Sequence, residues 1–201
     1  DYHIYPIADN DTPKLSSDRL EYSLSNALFT YELCDINQIR KMYNDITIQK
    51  DEDGIDELGF KTKQIALDFV KITSKLSIIY REDRTRYSMQ LIADILKKLS
   101  IEGKVTKKDL YTLKESEIIN IISESKYKDI FNKWRKATKV NSSKDRPENV
   151  YYVHHGAKIR YIDPLINGKR ISKASSKADK MIKENLSYNM NNYVSLNFEL
   201  K

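Results

Sequence analysis

Asp18, Tyr22 and Asn26 are spaced four residues apart, and Arg19 and Glu21 flank the first two. On a helix the three lie along one stripe, with the guanidinium beside it. A carboxylate can ligate a hard or borderline cation. A guanidinium can take a phosphate bidentately, and a phenol and an amide can hold a sugar. The same spacing also suits a solvent-facing amphipathic helix with an acid in its first turn, and spacing alone leaves both readings open. His154 and His155 are adjacent, so in a strand they point to opposite faces and do not serve one metal easily. Beside Gly156 they read as turn residues. Cys34 has no Cys or His near it in sequence and reads as a small buried hydrophobe.

The elements that must position the stripe are mostly helical. Residues Asp1 to Leu15 read as a loop, with Pro6, Pro13 and Asp9-Asn10-Asp11 as turn chemistry. Ser16 and Ser17 are candidate N-caps. Leu20, Leu24, Ala27, Leu28 and Tyr31 recur at helical spacing and predict a helix from Ser17 to about Leu33. Further helices are expected over Ile36–Tyr43 (capped by Asp35), Lys63–Tyr80 and Glu82–Glu102, the last stopped by Gly103. Gln49 to Gly54 reads as a polar turn. Thr106 and Thr112 open two shorter helices, with Glu115 completing a capping box for the second. Tyr127–Thr138 is a further amphipathic helix containing Ile130, Phe131 and Trp134.

After Lys139 the pattern changes. Asn141 to Asn149 is polar. Val150–Val153 and Ile159–Ile162 are β-rich on either side of His155-Gly156, which reads as a hairpin. Ser175–Leu186 reads as a helix and Tyr193–Leu200 as a strand. The expected architecture is mainly α: a helical body over residues 1–139, followed by a small basic α+β appendage with a β-hairpin over 140–201.

The balance of 40% hydrophobic and 32% charged residues is that of a globular chain. No apolar run approaches a membrane span, and no signal peptide is evident at Asp1-Tyr2-His3. With one cysteine, no internal disulfide can form, and a cytoplasmic location is expected. Lys133 to Lys180 carries 13 Lys/Arg against 4 Asp/Glu, so positive charge concentrates there in a chain of net +6. Such a segment suits phosphate-bearing partners, or is a solvated lysine-rich surface. Lys158, Arg160, Lys169 and Arg170, interleaved with Tyr151, Tyr152 and Tyr161, are the candidate contacts to nucleotide or nucleic acid.

Leu15-Ser16-Ser17-Asp18-Arg19-Leu20-Glu21-Tyr22 resembles the segment that supplies the last metal ligand in HD-domain metal-dependent phosphohydrolases. It is most similar to those related to deoxynucleoside triphosphate triphosphohydrolases, with the pattern Asp-Arg/Lys-x-Asp/Glu-Tyr. Ile79-Tyr80-Arg81-Glu82-Asp83-Arg84 resembles a downstream stretch where a Tyr and basic residues precede a long helix. Lys158 to Leu165 with Arg170-Ile171-Ser172 resembles a tail motif of bacterial members. The resemblance implies an HD-type helical body. It casts Asp18 as metal ligand and catalytic carboxylate, Arg19 as a substrate-phosphate contact, and Tyr22 as an aromatic at the sugar. Asn26 falls where the triphosphohydrolases place an Asp, and Arg84 is a further phosphate or nucleic-acid contact. The family also needs a His and a His-Asp pair. The chain has only His3, His154 and His155, and no His-Asp dipeptide. A divalent ion (Mn, Mg, Fe, Zn or Ni) is therefore expected only if a preceding HD half of a longer chain, or another subunit, supplies the missing ligands. The expected partners are that half, a nucleotide or phosphate-ester substrate, nucleic acid as an alternative, and further copies of the chain.

Two functional readings follow. In one, the chain is the C-terminal portion of a phosphohydrolase, inactive alone, with Leu20, Leu24 and Leu28 exposed where the missing half would sit. In the other it is a non-catalytic helical module that binds nucleic acid or a protein through its basic C-terminal region. That reading predicts a closed body with those leucines buried and Asp18 only capping a helix.

Overall fold

A computed structural model describes residues 4–196. Helix makes up 51% of the described residues and is joined by two small sheets, so the class is α+β rather than mainly α. The chain divides into two compact units. One comprises residues 1–80 and 158–188, the other 81–157 and 189–201. This division does not follow the expected boundary at 139/140. Segment 158–188 of the expected appendage packs instead into the same unit as the N-terminal residues.

The first unit opens with a loop that leads into α1 (Ser17–Ser25). Ser16 is the N-cap, its hydroxyl accepting from the Arg19 N–H at 3.3 Å. The expected helix to Leu33 is α-helical only to Ser25. It widens over Asn26–Thr30 into a π-helical turn, closed by the Tyr31 N–H donating to the Asn26 carbonyl at 3.0 Å. The next helix, α2 (Ile36–Asp45), starts where expected. Asp35 caps it, and Gln38 reaches back to the Asp35 N–H at 2.9 Å.

The polar turn at Gln49–Gly54 proves to be the tip of a hairpin between β1 (Ile46–Lys50) and β2 (Asp56–Phe60). In the turn Asp51 accepts from the N–H groups of Asp53 and Ile55, and Gly54 takes φ +76°. β2 pairs in parallel with β5 (Leu165–Ile166), which forms a tight hairpin with β6 (Lys169–Arg170). Asn167 and Gly168, at φ +51° and +71°, provide the two left-handed residues such a turn needs. Gly59 sits where β2 meets β5, and a Cβ there would lie 2.7 Å from the Leu165 carbonyl oxygen. α3 (Lys63–Ile79) follows the first hairpin and buries Ala66, Phe69, Val70, Ile72 and Leu76. α8 (Ile171–Ala174) and α9 (Ser176–Leu186) complete the unit, with α9 packed along α3.

The second unit is built on α4 (Asp83–Ile101), which Gly103 ends at φ +70°. Three helices follow: α5 (Asp109–Thr112), α6 (Glu115–Ser123) and α7 (Lys128–Lys136). Thr106 is held by Asp109, as a helix start requires. Thr112, however, ends α5. The N-cap of α6 is Lys114, whose N–H donates to Glu117 at 2.8 Å. A three-stranded antiparallel sheet orders β3 (Val140–Ser143), β7 (Tyr193–Leu196) and β4 (Tyr152–Val153) as β3-β7-β4. Tyr87, Leu91, Ile95, Leu99, Ile122 and Phe131 form the core.

The expected hairpin between 150–153 and 159–162 does not form. β4 pairs with β7, and 159–162 has no strand structure. Gly156 lacks the positive φ of the other turn glycines. The 159–163 stretch is instead tied to the N-terminal loop. Thr12 donates to the Tyr161 carbonyl at 3.2 Å, and the Asp163 N–H donates to the Pro13 carbonyl at 2.9 Å. The strand expected over Tyr193–Leu200 is present as Tyr193–Leu196; its last residues lie outside the described residues, as does His3.

Candidate functional site

The residues singled out on α1 lie in the first unit. Asp18 is in the first turn of α1 and exposed, where the helix dipole favours a carboxylate. It does not cap the helix, since Ser16 does. Its N–H donates to the Ala8 carbonyl at 3.1 Å, and its carboxylate has no hydrogen bond or ion pair with any described residue. Leu20 and Leu24, on the inward face, are only 4% and 1% exposed, and Leu28 is half-buried.

Arg19 is placed differently from expectation. Its guanidinium donates to the carbonyls of Asn10 and of Lys14, the latter at 2.8 Å. It is therefore engaged in fixing the preceding loop onto α1 and is not a free phosphate clamp. Tyr22 is half-buried. With Arg19 and Ser23 it lines a narrow recess that also receives Thr73 and Tyr80 from the α3 end and Arg160 and Tyr161 from the returning chain. Arg160, picked out of the basic C-terminal stretch, thus lines the same recess as Arg19 and Tyr22 of the α1 motif. The recess holds about 10 Å³, room for roughly one water. Asn26 begins the π-helical turn, and its side-chain oxygen accepts from Thr30 at 3.4 Å. Such turns recur at functional sites.

The four basic residues expected to share one surface separate. Lys158, Arg160 and Lys169 are exposed. Arg170 is 6% exposed and turned inward. It forms a bidentate pair with Glu57 at 2.7 and 2.8 Å, reaches Glu52 at 2.8 Å and donates to the Asp163 carbonyl at 3.0 Å. Burial opposes its charge, but the two carboxylates outweigh burial and hold its pKa above the ordinary arginine value. Glu52 responds in the opposite sense, its pKa lowered chiefly by the Arg170 hydrogen bond. Arg170 is therefore a structural ion-pair centre and does not offer its guanidinium to phosphate.

Beside it, Lys14 bonds Asp51 at 2.5 Å. Burial alone would raise the Asp51 pKa. The Lys14 bond and the N–H groups of Ile55 and Asp53 more than offset it and hold the carboxyl below the ordinary range.

Arg84, on α4 of the second unit, is exposed and lines a cleft of its own unit. His154 stacks on Tyr193 at 3.9 Å, and both His154 and His155 are exposed. Cys34 is half-buried against the core of the first unit, less enclosed than the buried hydrophobe expected, and burial raises its thiol pKa. Among the described residues no three His, Cys, Asp or Glu side chains converge on a point that could hold a metal. One exposed carboxylate is too few donors for a divalent ion, so the residues present do not fit the metal centre that the family resemblance implies. No described helix is long and apolar enough to cross a membrane.

Comparison with protein-family models, with curated proteins and with solved structures found no match.

Proposed function

We propose that this chain is the substrate-side portion of an HD-type phosphohydrolase acting on a nucleotide or another phosphate ester. In this reading Asp18 joins metal ligands carried outside these residues, and the chain alone does not hydrolyse. The observation that carries it is the presentation of Asp18. A motif whose carboxylate has a defined role in that family sits at the start of a well-anchored helix, with the carboxylate exposed and unpaired among the described residues. Tyr22 and Arg160 border a recess beside the motif that has room for only about one water, so an aromatic and a cation meet at its edge without a substrate pocket between them. Burial of Leu20 and Leu24 by the chain's own elements removes the expectation that a missing half covers them. Exposed apolar side chains do remain on the same unit, with Phe29 at 81% and Ile36 and Tyr43 at 47%. No hydrolytic step is assigned to these residues by themselves.

The test is Mn²⁺ binding and phosphate-ester hydrolysis by the full polypeptide that contains this sequence, wild type against Asp18→Asn. Loss of both with the fold retained supports the reading. Unchanged metal content and rate in the variant overturn it.

The closed packing around Leu20 and Leu24 favours a second reading, a non-catalytic module that binds a phosphate-bearing partner. Exposed Lys158, Arg160 and Lys169 would then carry the binding, and Asp18→Asn would leave it unchanged. Charge-removing changes at Lys158 and Arg160 would weaken it and flatten its salt dependence.

A further inference from the structure

The second unit contains a cleft of about 430 Å³ among α4, α6, α7 and the β3–β7 sheet, a size typical of small-molecule sites. Its walls are largely apolar, with Ile92 from α4, Ile119 from α6 and Trp134 from α7. Arg84, Arg135 and Lys139 also line it, opposed by one acid, Glu115. All four charged residues are exposed, and none forms an ion pair with a described residue. The cleft therefore combines an apolar interior with an excess of uncompensated positive charge.

We propose that this cleft binds an amphipathic small-molecule anion: an alkyl chain against the isoleucines and Trp134, and a carboxylate or phosphate head at the rim cations. The chemistry of the interior selects an alkyl body over a nucleobase. A base has a polar edge that needs partners when buried. Inside, the Trp134 indole N–H is already spent on Ser88 Oγ at 2.9 Å, which leaves a single hydroxyl, too few partners for the several polar atoms of a base edge. An alkyl chain has no such need and gains with every methylene buried. The binding is independent of the role proposed for Asp18, which lies in the other unit.

Trp134 is the only tryptophan in the chain, so its fluorescence reports on this cleft alone. The full chain is titrated with hexanoate, octanoate, decanoate, octyl phosphate and neutral octanol, each below its aggregation threshold, with calorimetry in parallel. Saturable emission changes are expected, with Kd falling about fourfold per added methylene until the cleft is full. Octanol is expected to bind more weakly than octanoate. Comparison of octanoate with octyl phosphate identifies the preferred head. The double variant R135Q/K139Q should weaken octanoate binding by about fivefold, the scale of exposed charge pairs. Lys98→Gln, a cation outside the cleft, should leave it unchanged. The proposal is overturned if calorimetry detects no binding, if binding leaves Trp134 emission unmoved, if affinity ignores chain length, or if K98Q weakens binding as much as R135Q/K139Q.

Discussion

Replacing Arg170 by Met tests the central packing feature of the first unit. The substitution removes the cation that pairs with Glu57, whose side chain is 1% exposed. Glu57 keeps one other partner, the Leu15 N–H at 2.9 Å. That leaves a buried carboxylate without its paired guanidinium and with only the more distant Lys14 as counter-charge, which costs about 3–5 kcal/mol. The Glu52 contribution adds little, because that side chain is 44% exposed and returns to water. With a urea slope of about 2 kcal/mol per molar, the midpoint of the first unit should fall by roughly 1.5–2.5 M. The assay is urea denaturation followed by far-ultraviolet circular dichroism. The double variant Glu57→Gln/Arg170→Met removes both charges and keeps an acceptor for the Leu15 N–H, so it should recover much of the loss. Two results would overturn this: R170M within about 0.5 kcal/mol of wild type, the range of surface substitutions, or a double variant no more stable than R170M.

Three further outcomes are expected. Arg19→Ala should destabilise the first unit by about 1.5–3 kcal/mol through loss of its bonds to the Asn10 and Lys14 carbonyls, and proteolysis should then cut the 4–15 loop faster. Gly59→Ala should cost about 1–3 kcal/mol by driving a methyl group against the Leu165 carbonyl, read as a lower urea midpoint. Acid should unfold the first unit. Asp51 and Glu52 have folded pKa values below their unfolded ones, so the stability they confer is present above about pH 4 and is lost as pH falls through the folded values. In an acid titration followed by circular dichroism, Asp51→Asn should be less stable than wild type at neutral pH, with a deficit that shrinks below about pH 4.

The helices were legible because their signals are local. Asp35 with Gln38 marked the start of α2, and Gly103 marked the end of α4. The π-helical turn after Ser25 left no mark, since Leu28 and Tyr31 continue the α period through it. The small strands were hidden for two reasons. β5 and β6 are two residues each, too short to show alternation, and the parallel pairing of β2 with β5 joins segments over a hundred residues apart. Asn167-Gly168 is a strong local hairpin signal, whereas His155-Gly156 closes no turn. Arg170 looked like a surface cation because its partners, Glu52 and Glu57, are more than a hundred residues away in sequence. The bonds of Arg19 to the Asn10 and Lys14 carbonyls were hidden for a related reason, as carbonyl groups of a loop leave no side-chain signature. Of the stripe, Asp18 and Tyr22 share α1, whereas Asn26 falls in the π-helical turn that follows it. That Arg160 lines the recess beside Tyr22 could not be read from sequence, because it depends on the return of 158–188 to the first unit.

The phosphohydrolase reading stands or falls on the rate at which the full polypeptide containing this sequence hydrolyses a panel of deoxynucleoside triphosphates and simple phosphate monoesters with Mn²⁺, compared between wild type and Asp18→Asn. Changes merely adjoining a metal ligand already cost about 10–100-fold, so replacing the ligand itself should cost more than about 100-fold. The urea midpoint should fall by no more than about 0.5 M, the loss of one exposed first-turn charge. A wild-type polypeptide with no activity on any of these esters, or an Asp18→Asn variant with the wild-type rate, would contradict it.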